Sequence, residues 1–244
     1  MSASARSWCG ETAISTEARR AARGSPPAPR LLFSDQRFVV IDKPQGLKVH
    51  SGPGGGASVE DLFPLLSRRK DGPWLAHRLD ADTAGCLLIA LRKQALIDAQ
   101  SCFAEGRARK TYWAIVHGRP DADRGTIDAP LRRITDAANG WRMTVDRPDH
   151  PDSQPALTDW RLLGSTDTLS WLELHPRTGR THQIRAHCAH LGCPLLGDPR
   201  YGGEGRVLHL LSRALHLPLT PPVEATATPP PAMAATFHLC GWTP

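Results

Sequence analysis

The feature that most constrains this 244-residue chain is a set of short β-branched and aromatic runs, each closed by turn-forming residues. Phe38-Val39-Val40-Ile41 stops at Lys43-Pro44 and Gly46. Cys86 to Leu91 is apolar throughout, Lys110 to His117 mixes aromatic and β-branched residues, and Leu169 to His175 alternates Leu and Trp against Ser and Glu. Such runs predict strands. Helical spacing predicts only three helices: Val59 to Ser67, Lys93 to Gly106 around Leu96, Ile97, Gln100, Phe103 and Ala104, and Thr181 to Leu191 with Thr181 as its cap. A Pro/Ala/Thr loop from Pro221 to Pro231 leads to an expected last strand near Phe237. With 21 glycines and 22 prolines an all-helical bundle is excluded. Strand and helix do not alternate regularly, so the expected class is α+β: a mainly antiparallel or mixed sheet with flanking helices.

Residues 1 to 30 read differently. Five arginines and two glutamates stand there among Ala, Ser, Pro and Gly. Such a segment buries too little apolar surface to offset its ordering, so a basic disordered tail is expected, with at most a frayed helix over residues 11 to 23. Arg, Ser and Ala dominate it as in an organellar transit peptide, but the glutamates argue against one. One domain is expected from residue 31 to 244. The six cysteines, Cys9, Cys86, Cys102, Cys188, Cys193 and Cys240, form no C-x-x-C pair, and Cys86, Cys102 and Cys188 sit in apolar company as core residues. Reduced thiols and the lack of a secretory signal or membrane-length apolar run point to the cytoplasm. The formal charge of +6 suits an acidic partner, nucleic acid before lipid.

Two constellations carry chemistry. His77-Arg78-Leu79-Asp80-Ala81-Asp82-Thr83-Ala84-Gly85 precedes the buried run at Cys86. Cations flanking a carboxylate favour the charged form that a nucleophile needs, but on spacing alone an ion-paired turn, with Asp80 or Asp82 capping backbone amides, is the better reading. The second runs from Arg177 through Arg180, His182 and Arg185 to His187 and His190, then to Gly197-Asp198-Pro199-Arg200-Tyr201-Gly202. Arg180 and His182 at a helix start suit phosphate, and Arg185, a turn on, suits a carboxylate from elsewhere. A solvated basic helix start is the plain alternative. His187 and His190 beside Cys188 and Cys193 raise zinc, but no fourth ligand stands at an accepted spacing. The glycine-rich stretch from 51 to 57 has no Gly-Lys-Ser/Thr and reads as a mobile loop rather than a phosphate cradle.

Taken together, Lys43-Pro44-x-Gly46 with Val49-His50, His77-Arg78-Leu79-Asp80-x-x-Thr83-x-Gly85, Lys110-x-Tyr112, Thr178-Gly179-Arg180-x-His182-Gln183-Ile184-Arg185-x-His187 and Gly197-Asp198-x-x-Tyr201-Gly202 resemble the RluA-type RNA pseudouridine synthases in order and separation. The resemblance covers residues 31 to 218. Ala84 stands where that family usually has Ser, and Asp42 where Asn usually precedes Lys-Pro.

The resemblance implies the pseudouridine synthase fold with a central RNA-binding catalytic cleft, and isomerisation of uridine in structured RNA, ribosomal or transfer, without a cofactor or a metal. It implies Asp80 as the catalytic carboxylate, Tyr112 stacked on the target uracil and helping to remove the C5 proton, and Arg185 paired with Asp80. Ile184 would line the apolar wall, and Arg78 would fill the gap left by a flipped nucleotide. Lys43, Lys48, His77, Thr83, Arg180 and His182 would contact the RNA, the cations among them holding phosphates. The separate amino-terminal RNA-binding domain of many family members is not expected in a 30-residue tail, and a monomer without membrane attachment is expected. A catalytically silent RNA-binding module and a metal-dependent hydrolase built on the histidines are the alternatives.

Overall fold

Each β-branched run becomes a strand. In the computed structural model, which describes residues 28–52, 55–136 and 140–244, the four runs lie in β2 (Phe38–Lys43), β4 (Ala84–Ala90), β5 (Arg109–His117) and β10 (Leu169–Pro176), and six strands that the sequence reading did not single out join them: β1 (Leu31–Ser34), β3 (Trp74–Leu75), β6 (Arg124–Asp128), β9 (Leu157–Ser165), β11 (Leu210–Leu217) and β12 (Val223–Thr226). They form one ten-stranded sheet in the order β1-β2-β4-β11-β5-β10-β9-β6, with β3 beside β4 and β12 beside β11. Its pairs are antiparallel except β4 with β11, which run parallel. Strands β7 (Leu131–Asp136) and β8 (Gly140–Val145) form a separate two-stranded sheet. The expected tail lies outside the described residues up to residue 27, as does the helix considered within it, and so does part of the glycine-rich loop.

Strand alternation sends side chains to both faces of the sheet, and both are covered, which is why the strands read as continuous apolar runs. Phe38, Val40, Cys86, Leu88, Trp113 and Ile115 pack on one face against α2 (Lys93–Ala104) and α4 (Pro231–Leu239). Val39, Ile41, Leu87, Ile89, Tyr112 and Ala114 pack on the other, against Val59 and Leu62 of a 3-10 turn that leads into α1 (Phe63–Leu66), and against Ile184 and Cys188 of α3 (Gln183–His190). Cys86, Cys102 and Cys188 are buried, as their apolar neighbours suggest.

Three local expectations need correction. Helix α2 turns Ala95, Ala99 and Cys102 inward and leaves Ile97 49 % exposed, because small residues let a helix approach the sheet closely. The segment around Phe237 is helix α4, not a strand. Pro231 opens it where a missing N–H costs nothing, and Met233 and Phe237, four apart, bury together. The Pro221–Pro231 loop contains β12, paired with β11. No helix among the described residues is long and apolar enough to cross a membrane.

Candidate active site

Asp80 lies in the loop that feeds β4, and the loop is pinned from below. Lys43, at the end of β2, is fully buried, and its Nζ donates to Ala81 O (2.7 Å), Pro44 O (2.9 Å) and Leu47 O (2.9 Å). The Gly46 N–H adds a bond to Ala81 O at 2.9 Å. Burial lowers the Lys43 ammonium to about 8, with Asp82 and Asp80 opposing that shift. All three donors are spent on backbone carbonyls, so Lys43 braces the Asp80 loop instead of meeting phosphate. His77 is corrected in the same way. Its Nε2 accepts the Leu88 N–H at 2.9 Å, and burial, with the Lys110 charge, depresses it to about 3. It is a neutral strut between β3 and β4.

The turn before α3 is built by Gln183, a buried residue that sequence reasoning passed over. Its Oε1 accepts from the Thr178 hydroxyl (2.7 Å) and the Arg180 N–H (3.0 Å), and its Nε2 donates to Leu157 O and Thr158 Oγ1. The helix therefore starts two residues later than expected. His182, at φ 51°, precedes it in left-handed backbone, and Thr181 caps nothing. The Thr181 hydroxyl instead accepts a bond from exposed Arg78 across the cleft. Arg180 stays exposed with its Nε on Pro155 O at 3.1 Å.

Arg185, one turn into α3, joins two carboxylates. Its Nε and Nη2 grip Asp198 through two parallel bonds of 2.7 Å, and its Nη1 donates to Asp80 Oδ2 at 3.3 Å. Burial works against the guanidinium charge, but the Asp198 fork and Asp80 outweigh it and keep it protonated. Asp198 is wholly buried and takes the bidentate grip, so Arg185 reaches Asp80 with a single donor. Its signal was present in Gly197-Asp198-x-x-Tyr201-Gly202, but nothing in the spacing showed which residue it faces.

His182 lies 3.7 Å from Asp80 Oδ2, and its Nε2 accepts from Arg185 Nη1 at 3.2 Å. The proton therefore belongs on Nδ1, which donates to Tyr201 Oη at 3.0 Å. Burial depresses the ring to about 4 although Asp80 favours its charge, so His182 is a neutral spacer rather than a phosphate-binding cation. Trp141 of β8 stacks on it at 4.9 Å, and the Met143 N–H donates to Tyr201 Oη at 3.0 Å. The β7–β8 hairpin thus rests directly on the site.

Tyr112 is buried on β5, and burial raises its phenol to about 12, which favours a neutral stacking ring over a proton acceptor. Asp80, Tyr112, Arg185, Arg78, His77, Thr83, Arg180, His182 and Ile184 all line one cleft of about 320 Å³, within the range of roughly 300–1,000 Å³ usual for a small-molecule site. A second cleft of about 500 Å³, bounded by Lys48, His50, Trp141 and Arg200, shares Arg78, Asp80 and Arg185 with the first. The histidine-cysteine cluster is otherwise employed. His187 engages Thr158 Oγ1 (2.8 Å) and Ala129 O (2.9 Å) with its two ring nitrogens, and burial raises the Cys188 thiol well above its usual range. Among the described residues no three His, Cys, Asp or Glu side chains gather as a metal site.

The family model described as RNA pseudouridylate synthase matches residues 37–190. An uncharacterized RNA pseudouridine synthase of Zymomonas mobilis is 41% identical over 179 residues, covering 72% of this chain and 80% of its own. The mitochondrial RNA pseudouridine synthase 4 of Arabidopsis thaliana is 36% identical over 71% of this chain and 41% of its own. The chain spans 58% and 55% of two further bacterial relatives. Among solved structures, human RNA Pseudouridylate Synthase Domain Containing 4 superposes with a TM-score of 0.72 at 28% identity, over 91% of this chain and 94% of that one. A match over more than half of the chain, and a sheet-dominated fold shared with the human structure, lead to one conclusion: the chain belongs to the RluA-type RNA pseudouridine synthases, a family of isomerases.

Proposed function

We propose that this protein converts uridine to pseudouridine within structured ribosomal or transfer RNA, with Asp80 as the reacting carboxylate. The observation that carries the reading is the placement of Asp80 in the cleft wall. Arg185 holds Asp80 at 3.3 Å, and Tyr112 lines the same cleft. A base must leave its helix to enter such a cleft. Exposed Arg78, anchored on Thr181, would fill the space behind it, while Arg180 and Lys48 at the rim would take phosphates. Thr83 and Ile184 would shape the pocket, and Tyr112 would stack on the uracil.

Asp80 has two chemical routes, attack at C1′ or removal of a sugar proton. Both break the N1–C1′ bond with its electron pair leaving on uracil. C5 then joins C1′, displacing Asp80 in the first route and with Asp80 returning the sugar proton in the second; C5 gives up its own proton and N1 gains one, so the isomerisation balances without an oxidant or reductant. The carboxylate works at the anomeric carbon as one does in glycoside hydrolysis.

The experiment is release of tritium from ribosomal and transfer RNA of cells lacking the protein, labelled with C5-tritiated uridine. Asp80→Asn is expected to abolish release while RNA binding and fold persist, and Asp82→Asn to stay close to wild type. Release by Asp80→Asn at the wild-type rate would reject the assignment, and binding without release by the wild type would leave a silent RNA-binding module. We further propose a cytoplasmic monomer, to be tested by cell fractionation and light scattering. The mitochondrial relatives make fractionation decisive.

A further inference from the structure

Of the cations of the first cleft that this function leaves unused, Arg177 is paired with Asp159 and Lys110 is not paired with an acid among the described residues. Lys110 precedes Tyr112 by two residues on β5, so both side chains stand on the same face of the strand, and both line the cleft. Its Nζ donates to Thr178 O at 3.0 Å, and an ammonium has three donors. The cleft's carboxylate, Asp80, is engaged by Arg185 and His182, and among the described residues no acid pairs with Lys110. The other ionisable groups around it are neutral His77, then Arg177, Arg180, Arg185 and neutral His182 from the α3 side. Phe103, Ile184 and Leu210 supply apolar wall. Burial lowers the ammonium to about 8. A half-buried cation without a counter-ion costs stability, and it persists where a developing negative charge needs it.

That charge arises when N1–C1′ breaks, because the electron pair left on N1 delocalises onto O2 and O4 of the ring. With C1′ at Asp80 and the base laid on Tyr112, the ring runs along β5. Two residues of strand span roughly 6.5 Å, enough to carry its carbonyl edge towards Lys110. We propose that Lys110 donates a hydrogen bond to a carbonyl oxygen of the target uracil and stabilises the ring while it bears the negative charge. This catalytic role rests on the pseudouridine synthase reading. Lys110 keeps its proton throughout; the pair returns from the ring as C5 bonds to C1′, C5 loses its proton and N1 gains one. Phosphates would fall to the exposed Arg177 and Arg180 instead.

The test uses the full chain, with single-turnover tritium release and filter binding on the same labelled RNA. Lys110→Met is expected to slow the bound-state reaction by about 100-fold or more, the scale seen when one such donor is removed, with RNA affinity changed less than about threefold. The wild-type rate is expected to fall above about pH 8 as the ammonium deprotonates. In Lys110→Arg, whose charge persists, that fall is expected to move to higher pH. A normal bound-state rate in Lys110→Met overturns the proposal. Weak binding with normal chemistry places Lys110 on a phosphate and also overturns it. So does a rate loss matched by a lower melting temperature and an unmoved alkaline fall in Lys110→Arg, which leaves Lys110 only as the prop of Thr178. Failure of the wild type to release tritium defeats the family activity itself. Loss in Asp80→Asn with none in Lys110→Met defeats this inference alone.

Discussion

At the scale of single residues, the site is organised by charges that are neutralised or withheld. Arg185 spends its fork on Asp198 and a single donor on Asp80, so Asp80 is oriented without being locked. His77 and His182 are kept neutral beside these charges, which has a measurable cost in acid. His77 titrates near 3 in the fold against 6.5 when free. Between those values the unfolded chain binds a proton that the folded one refuses, so stability falls as pH drops through this window and is retained above about 6.5. The contribution approaches about 1.4 kcal/mol per pH unit for one such group. His77→Gln keeps an acceptor for the Leu88 N–H but does not titrate. Urea unfolding at pH 7 and pH 4.5 should show the variant losing less stability than wild type. An identical loss would mean that His77 does not contribute to the acid response, while His182 acts in the same direction and preserves part of it.

At the scale of elements, the strand that follows the Asp80 loop makes one close backbone approach. Gly85 opens β4 at φ 102°, and a Cβ there would stand 2.3 Å from Ser212 O of β11. Gly85→Ala should therefore cost more than about 2 kcal/mol in urea unfolding and reduce turnover with it. Gly118→Ala is the control. It shares a positive φ of 74° but meets nothing within 4 Å, so it should lose only roughly the 1–2 kcal/mol of a left-handed alanine. Equal losses at both positions would remove the strand contact from the explanation. Strands β2, β4, β5 and β10 were legible as apolar, aromatic or β-branched runs, and the meeting of Asp80, Tyr112 and Arg185 in one cleft was legible through the resemblance of their motifs to the family. Trp141 was not, and Tyr201 stood in a motif without its partners. The β7–β8 hairpin that carries Trp141 is rich in arginine, and although Asn139-Gly140 is a hairpin dipeptide, nothing in it announces a stack against His182. Lys43 and His77 were misread because a charged residue type in a motif suggests phosphate, whereas burial commits both to the backbone.

At the scale of the whole molecule, Arg30 ties the start of the described chain to the sheet. The Asp42 N–H donates to Arg30 O at 2.8 Å, and Arg30 pairs with Asp42 at 3.3 Å, so a cut after residue 29 spares both contacts. Deletion of residues 1–29 should leave a folded, active enzyme whose RNA affinity is slightly weaker and less salt-dependent, each lost phosphate contact lowering the slope by roughly 0.9 or less. Loss of all turnover at low salt would make that segment structural. The parallel pairing of β4 with β11 reaches further, because Ala84 and Gly85 find Leu211 and Ser212 across more than half of the chain. A chain leaving the ribosome makes Asp80 early, yet β4 gains its β11 neighbour only when Leu211 and Ser212 have emerged. Long-range pairing of this kind is entropically slow. A chain that ends before β11 is therefore expected to form neither this pairing nor the finished sheet beside which the Asp80 loop rests.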